Sequence, residues 1–259
     1  MYQPVFGGRR SAGAFGFSLT IIALALTVLS VLATPVQRHA RKSSVLKRSE
    51  VLEAERILSN LGYWTGRVDG VFDGASRQAL IAFEKIAGLK ITGRLTRDQL
   101  DLLRAATAPE AKDPGYRHVE VDLDRQVLFL VDDGGKVARV LPVSTGGGQH
   151  YNQNGMSGTA YTPRGRFRVY AKAGGWKKSP LGLLYFPSYF SDGLAIHGNP
   201  DVPAEPKSHG CVRIPMFASQ QVSKMMPVGT IILIYDSKSF VSARDWADTN
   251  KASQVGSVQ

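Results

Sequence analysis

The sequence predicts a mainly β domain in its C-terminal half, preceded by a small three-helix module and an N-terminal apolar helix. Three observations carry this. After Tyr116 apolar residues alternate with polar ones, the period of a strand. Between Val51 and Leu103 they recur at helical spacing, in runs separated by glycines. Residues 14–33 contain no charge and follow Arg9 and Arg10. At 259 residues, with 43% apolar and 20% charged positions, the chain suits one or two cored domains and is neither disordered nor fibrous. A single cysteine excludes a disulfide framework and a cysteine-rich zinc site.

Residues 1–34 read as a signal peptide or a membrane anchor. A signal needs ~7–15 apolar residues with small residues before the cut, which Val31 and Ala33 supply. An anchor needs ~20, and the run AFGFSLTIIALALTVLSVLA is long enough, so length favours an uncleaved anchor through residues 14–33. Five basic residues from Arg38 to Arg48 follow the run, which by the positive-inside bias opposes export. Residues 35–49 are polar, basic and aperiodic, as in a linker.

In residues 50–105, Val51, Ala54, Ile57, Leu58 and Leu61 mark a first helix stopped by Gly62. Ser76 is the expected cap of a second, carrying Ala79, Leu80, Phe83 and Ile86 and ended by Gly88. Gly93 and Thr96 open a third, with Leu100, Leu102 and Leu103. Residues 106–115, with Pro109 and Pro114, form a second linker. In residues 116–236, Val119, Val121 and Leu123 suggest a half-buried strand. Val127–Val131 and Val137–Val143 suggest a hairpin around Asp132-Asp133-Gly134-Gly135. Phe167–Tyr170, Leu194–Ile196 and Ile231–Tyr235 read as further strands and Ala218–Met226 as a helix, giving a sandwich or barrel-like sheet. Gly147–Thr159 reads as a long loop, either a lid over a site or a solvated excursion, and residues 237–259 as a polar tail.

The net charge is +11, yet residues 1–50 hold seven of the basic residues against Glu50 alone. No helix concentrates the remainder, so nucleic acid is not an expected partner. The residues able to do chemistry converge on Ser208-His209-Gly210-Cys211-Val212-Arg213, with His197 upstream and the proline-containing segment Gly198–Lys207 between. A thiolate is a strong nucleophile and an imidazole can take its proton. In an extended segment His209 and Cys211 would point to one side. Turn amides at Gly210 and Cys211 could receive an oxyanion. From cysteine and histidine alone, a buried apolar thiol with structural histidines stays open. His150 reads as a surface histidine and His118 as a structural one.

The stretch LGYWTGRVDGVFDGASRQALIAFEKIAGLKITGRL resembles the three-helix peptidoglycan-binding module, with Asp73 where a glycine is usual and Glu84 where a glutamine is usual. Residues 116–236 resemble the L,D-transpeptidase (YkuD-like) catalytic domain. The match rests on Ser144-Thr145-Gly146, on Thr162-Pro163-Arg164-Gly165-Arg166-Phe167, on Ser179-Pro180-Leu181-Gly182, and on His197-Gly198 followed by Ser208–Arg213. That resemblance implies a YkuD-like β-sandwich in which Cys211 is the nucleophile and His197 the proton donor and acceptor. The Gly198 carbonyl would hold the His197 ring, His209 would lie beside the thiol, the Gly210 and Cys211 amides would form the oxyanion hole, and Ser208 and Arg213 would shape the pocket. It implies cross-linking of peptidoglycan stem peptides through a Cys thioester with release of D-alanine, inhibition by carbapenem β-lactams, and no cofactor or metal. The expected chain is a monomer, exported to the periplasm or the outer face of the cytoplasmic membrane. Two alternatives stand beside this: a carboxypeptidase or hydrolase using the same thioester, and a wall-binding protein with an inactive catalytic domain. Papain-like peptidases place Cys before His, and sortases lack SHGC, which disfavours both. The helical module has no Cys or His and is expected to add wall affinity without chemistry.

Overall fold

The computed structural model describes residues 45–239. The apolar run 14–33, most of the basic linker and the tail from residue 240 lie outside them. Among the described residues no helix is long and apolar enough to cross a membrane.

Three helices open the fold: α1 (Arg48–Asn60), α2 (Gly74–Ile86) and α3 (Arg97–Arg104). The Glu50 carboxylate accepts the Lys47 N–H at 2.7 Å and so closes the first turn of α1. The cap of α2 is Asp73, not Ser76. Its extended backbone and carboxylate meet the Ala75 and Ser76 N–H groups at 2.8 and 2.9 Å. Ser76 is drawn inside instead, where its hydroxyl donates to buried Glu55 at 2.6 Å. Thr96 caps α3 as expected, accepting from Gln99 N–H. Two buried carboxylates pin the glycine loops between helices. Glu55 accepts the Asp69 and Gly70 N–H groups, and Glu84 accepts those of Thr92 and Gly93 together with the Thr92 hydroxyl. The two departures from the usual module residues, Asp73 and Glu84, thus both serve as hydrogen-bond acceptors.

The strands follow in the order β1 (His118–Asp122), β2 (Val127–Val131), β3 (Val137–Pro142), β4 (His150–Gln153), β5 (Met156–Thr159), β6 (Gly165–Arg168), β7 (Ala171–Lys172), β8 (Trp176–Ser179), β9 (Gly182–Ser191), β10 (Leu194–Asn199) and β11 (Val212–Pro215). Helix α4 (Met216–Met225) and β12 (Ile231–Tyr235) complete the chain. One five-stranded sheet runs β3-β2-β1-β12-β6, with β1 and β12 parallel. The other runs β11-β10-β9-β7 with β8 added to β9, and here β10 and β11 are parallel. Val121, Leu128 and Ile232 of the first sheet meet Phe190, Ile196 and Ile214 of the second, with Val222 and Met226 of the α4 segment closing the core. The result is a mainly β sandwich.

Three expectations change. The strand β1 is buried on both faces rather than one. Val119 and Val121 face the inter-sheet core, and the polar face is covered by the segment after α3. There Glu120 accepts from Lys112 N–H at 3.0 Å, Asp113 N–H at 2.9 Å and Tyr235 O–H at 3.1 Å, and pairs with His118 at 2.9 Å. His118 is thus structural. The Gly147–Thr159 loop contains a hairpin, β4 with β5. Its turn is Asn154-Gly155, with φ of 52° and 77°, both left-handed as the tight hairpin turn requires. The strand expected at Phe167–Tyr170 begins earlier, at Gly165.

The helical module also lies against the sandwich. Val127, Phe129 and Val131, which alternate with the inward residues of β2, form a second core with Leu80, Phe83 and Leu103. The run VLFLV is apolar throughout because both of its faces are covered. Strand β3 is an edge, and the module covers it. Val140 N–H donates to Gly62 O at 2.8 Å and Trp64 N–H to Val140 O at 3.1 Å.

Candidate active site

The parallel pair β10–β11 positions the two reactive side chains. His197 lies beside Arg213 in register, and two residues back along each strand direction the Ala195 N–H meets the Cys211 Sγ at 3.4 Å. Cys211, just before β11, and His197 both line a cavity of ≈ 370 Å³, together with His209, Ser208 and Arg213.

His197 is only 3% exposed, and its Nδ1 lies 2.9 Å from the Gly198 carbonyl. A carbonyl can only accept, so Nδ1 carries the proton and Nε2 offers its lone pair. Burial pushes the imidazole down to about 4; the Gly198 hydrogen bond opposes this and the Arg213 charge adds to it. Burial pushes the Cys211 thiol up, against the Ala195 N–H and the Arg213 charge, which favour the thiolate. Near pH 7 the pair therefore rests as thiol and neutral imidazole, not as an ion pair. Gly198 itself is demanded by packing: a Cβ there would sit 2.6 Å from the Ser219 hydroxyl of α4.

The 209–211 segment is bent rather than extended, though His209 and Cys211 still reach the same cavity. Ser208 makes the bend. Its hydroxyl donates to Cys211 O at 2.6 Å and accepts from Gly210 N–H at 3.0 Å. Gly210 has φ 134°, and a Cβ there would lie 2.7 Å from Tyr161 O, so only glycine fits. Its N–H is committed to Ser208 and reaches an oxyanion only by leaving that hydroxyl. Thr162 steadies the turn from outside, donating to Gly210 O at 2.7 Å and accepting from Gly146 N–H at 2.9 Å.

The cavity walls hold residues that sequence reasoning missed. Tyr151 and Met156 come from the β4–β5 hairpin, and Tyr151 meets the His209 ring edge-on at 4.9 Å. Lys178 comes from β8, Leu184 and Tyr189 from β9, and Asp192 from the β9–β10 turn. Asn154 at one hairpin tip donates to Pro180 O of the other at 2.9 Å. The signal for the first hairpin was the Asn154-Gly155 dipeptide; its neighbours lack the apolar alternation that usually accompanies it. His150, on the outer side of that hairpin, is exposed and bonds only Thr159. Among the described residues no group of three His, Cys, Asp or Glu side chains is placed to hold a metal ion.

Residues 116–234 match the L,D-transpeptidase catalytic domain, YkuD, and residues 47–103 match a peptidoglycan binding domain. Among solved structures, the L,D-transpeptidase of Xylanimonas cellulosilytica is 38% identical, with 74% of this chain and 95% of that one covered and a TM-score of 0.68. The L,D-transpeptidase of Stackebrandtia nassauensis is 25% identical over 78% of this chain and 97% of that one, with a TM-score of 0.42. No curated protein matches.

Proposed function

We propose that this chain, which belongs to the L,D-transpeptidase family, cross-links peptidoglycan stem peptides through a thioester on Cys211. The observation that supports this most directly is the His197–Gly198 hydrogen bond, which leaves Nε2 as a base in the cavity that also holds the only thiol. As Cys211 Sγ attacks the carbonyl before the terminal D-residue of a tetrapeptide stem, His197 Nε2 takes the thiol proton. The oxyanion is received by the Cys211 N–H, joined by the Gly210 N–H once it leaves Ser208. His197 then gives its proton to the departing amine, the C–N bond breaks and D-alanine leaves. The side-chain amine of a neighbouring stem's diamino acid attacks the thioester, losing its proton to His197, and the Cys211 sulfur leaves and is reprotonated. His209, with Ser208 and Arg213, shapes the pocket around this chemistry. The 47–103 module supplies affinity for the wall, and the protein acts in the cell envelope.

Mass spectrometry of the purified protein with disaccharide-tetrapeptide tests this. Cross-linked dimer with loss of D-alanine is expected, along with a covalent carbapenem adduct on Cys211. Cys211→Ala should abolish both, and Cys211→Ser should be nearly as inactive. Release of D-alanine without dimer would assign water as the acceptor. Dimer or adduct persisting in Cys211→Ala would place the chemistry elsewhere.

A further inference from the structure

We propose that Lys85, on the peptidoglycan-binding module, is a positioning residue for the Cys211 turn, so that the module forms part of the frame of the site. The functional weight of this rests on the reading of Cys211 as nucleophile; the structural part does not. Lys85 lies in the last turn of α2, is 6% exposed, and points its ammonium out of the module into the sandwich. There Nζ donates to two main-chain carbonyls, Gln126 O at 3.0 Å and Val143 O at 3.0 Å. Neither partner is a carboxylate. Burying an ammonium on two carbonyls, with only the through-space charge of Glu205 to offset it, is unfavourable, and an apolar residue would fill the same space without that penalty.

What the ammonium holds is the segment that carries the catalytic turn. Val143 leads into Ser144–Gly147, which brackets 208–213 from one side. Ser144 and Arg213 exchange both main-chain hydrogen bonds, at 3.1 and 3.0 Å. Ser208 N–H donates to Thr145 O at 2.8 Å and Gly147 N–H to Ser208 O at 3.2 Å. Gln126 forms the second leg. Its main chain is left-handed, at φ 55°, and its carbonyl takes both the Lys85 ammonium and the Val143 N–H. Its side chain accepts the Thr145 N–H at 2.9 Å and donates to the Thr145 hydroxyl at 2.8 Å. The path from module to turn is Lys85, Gln126, Thr145, Ser208, and Ser208 holds both Gly210 and Cys211. Every member is at least nine-tenths buried. In so buried a network, removing the Lys85 donor loosens the carbonyls that it holds and, through them, the next link.

Hydrogen exchange read by mass spectrometry tests the structural part without any appeal to activity. In Lys85→Met the amides of Thr145, Gly147, Ser208, Gly210 and Arg213 should exchange ~10-fold faster or more, with those of β1 and β12 unchanged, since a lost local restraint opens only its neighbourhood. Lys85→Arg, which keeps a buried cation and its donors, should restore most of the protection. The maximal rate of Cys211 acylation by a carbapenem should fall by a similar factor in Lys85→Met, at an unchanged half-saturating concentration. Lys85→Gln stands in if Lys85→Met does not fold. Exchange that rises equally in β12, or stays unchanged across 208–213, overturns the proposal. A wild-type protein that takes no acyl group overturns the nucleophile reading alone, and the exchange pattern still decides the role of Lys85.

Discussion

Burial shifts the titration of both Cys211 and His197. An imidazole in water titrates near 6.5, and His197 is pushed to about 4 because its cation would be desolvated beside Arg213. The acid limb of kcat/KM, which reports the free enzyme, should therefore fall near 4 and not between 6 and 7. The same shift has a stability consequence. Because the folded value lies below the unfolded one, the unfolded chain gains the proton first as pH falls. Stability is complete above about 6.5 and declines down to about 4, by about 3 kcal/mol from this residue. Urea midpoints at pH 7 and 4.5 should fall further for the wild type than for His197→Gln, and equal falls would refute the shift. The pair itself is legible in the sequence, since one thiol stands in SHGC with a histidine upstream. What is not legible is the Ser208 hydroxyl taking the Gly210 N–H, because that follows from a bend and not from residue spacing.

Among the elements, the β4–β5 hairpin adds Tyr151 and Met156 to the cavity wall. The sequence leaves Gly147–Thr159 open between a lid and a solvated loop because its residues carry no apolar face, and a strand pair without a buried face leaves little trace beyond its turn. Its role emerges only from Tyr151 against His209 and from Asn154 tied to Pro180. Tyr151→Ala should reduce kcat/KM for a tetrapeptide stem by ~10-fold while moving the melting temperature little, because the hairpin is mostly exposed and only its inner edge lines the cavity. A variant with unchanged turnover would make the hairpin a spectator. The helices were easier to read, as their stops at Gly62 and Gly88 and the Thr96 cap match the sequence. Asp73 and Ser76 both fit a capping pattern in the sequence, and only the buried Glu55 decides which of the two turns inward. Asp73→Ala should destabilise the fold by about 1 kcal/mol in urea unfolding.

At the scale of the whole molecule, the module and the sandwich share a core, and this reverses what the sequence suggests about separability. A helical module with no Cys or His, followed by a proline-containing linker, invites the view of a tethered binding domain. Yet Val127, Phe129, Val131 and Val140 of the sandwich are buried by it, each at most 3% exposed. The one sequence clue was VLFLV, apolar at every position where a strand with one wet face would alternate. Stripping the module would return those four side chains to water, at ~1.5–3 kcal/mol each. That reaches ~6–12 kcal/mol, comparable with the ~5–15 kcal/mol that holds a domain folded. It would also uncover the β3 edge now occupied by Gly62–Trp64 and take the Lys85 donor away from the Gln126 and Val143 carbonyls. Residues 106–259 produced alone should therefore aggregate or lack a cooperative melting transition, and should turn over even small soluble stems poorly. Full-length protein should melt in one transition spanning both parts. A truncated protein that melts cooperatively and keeps full turnover of small stems while losing only sedimentation with isolated sacculi would restore the tethered-domain view.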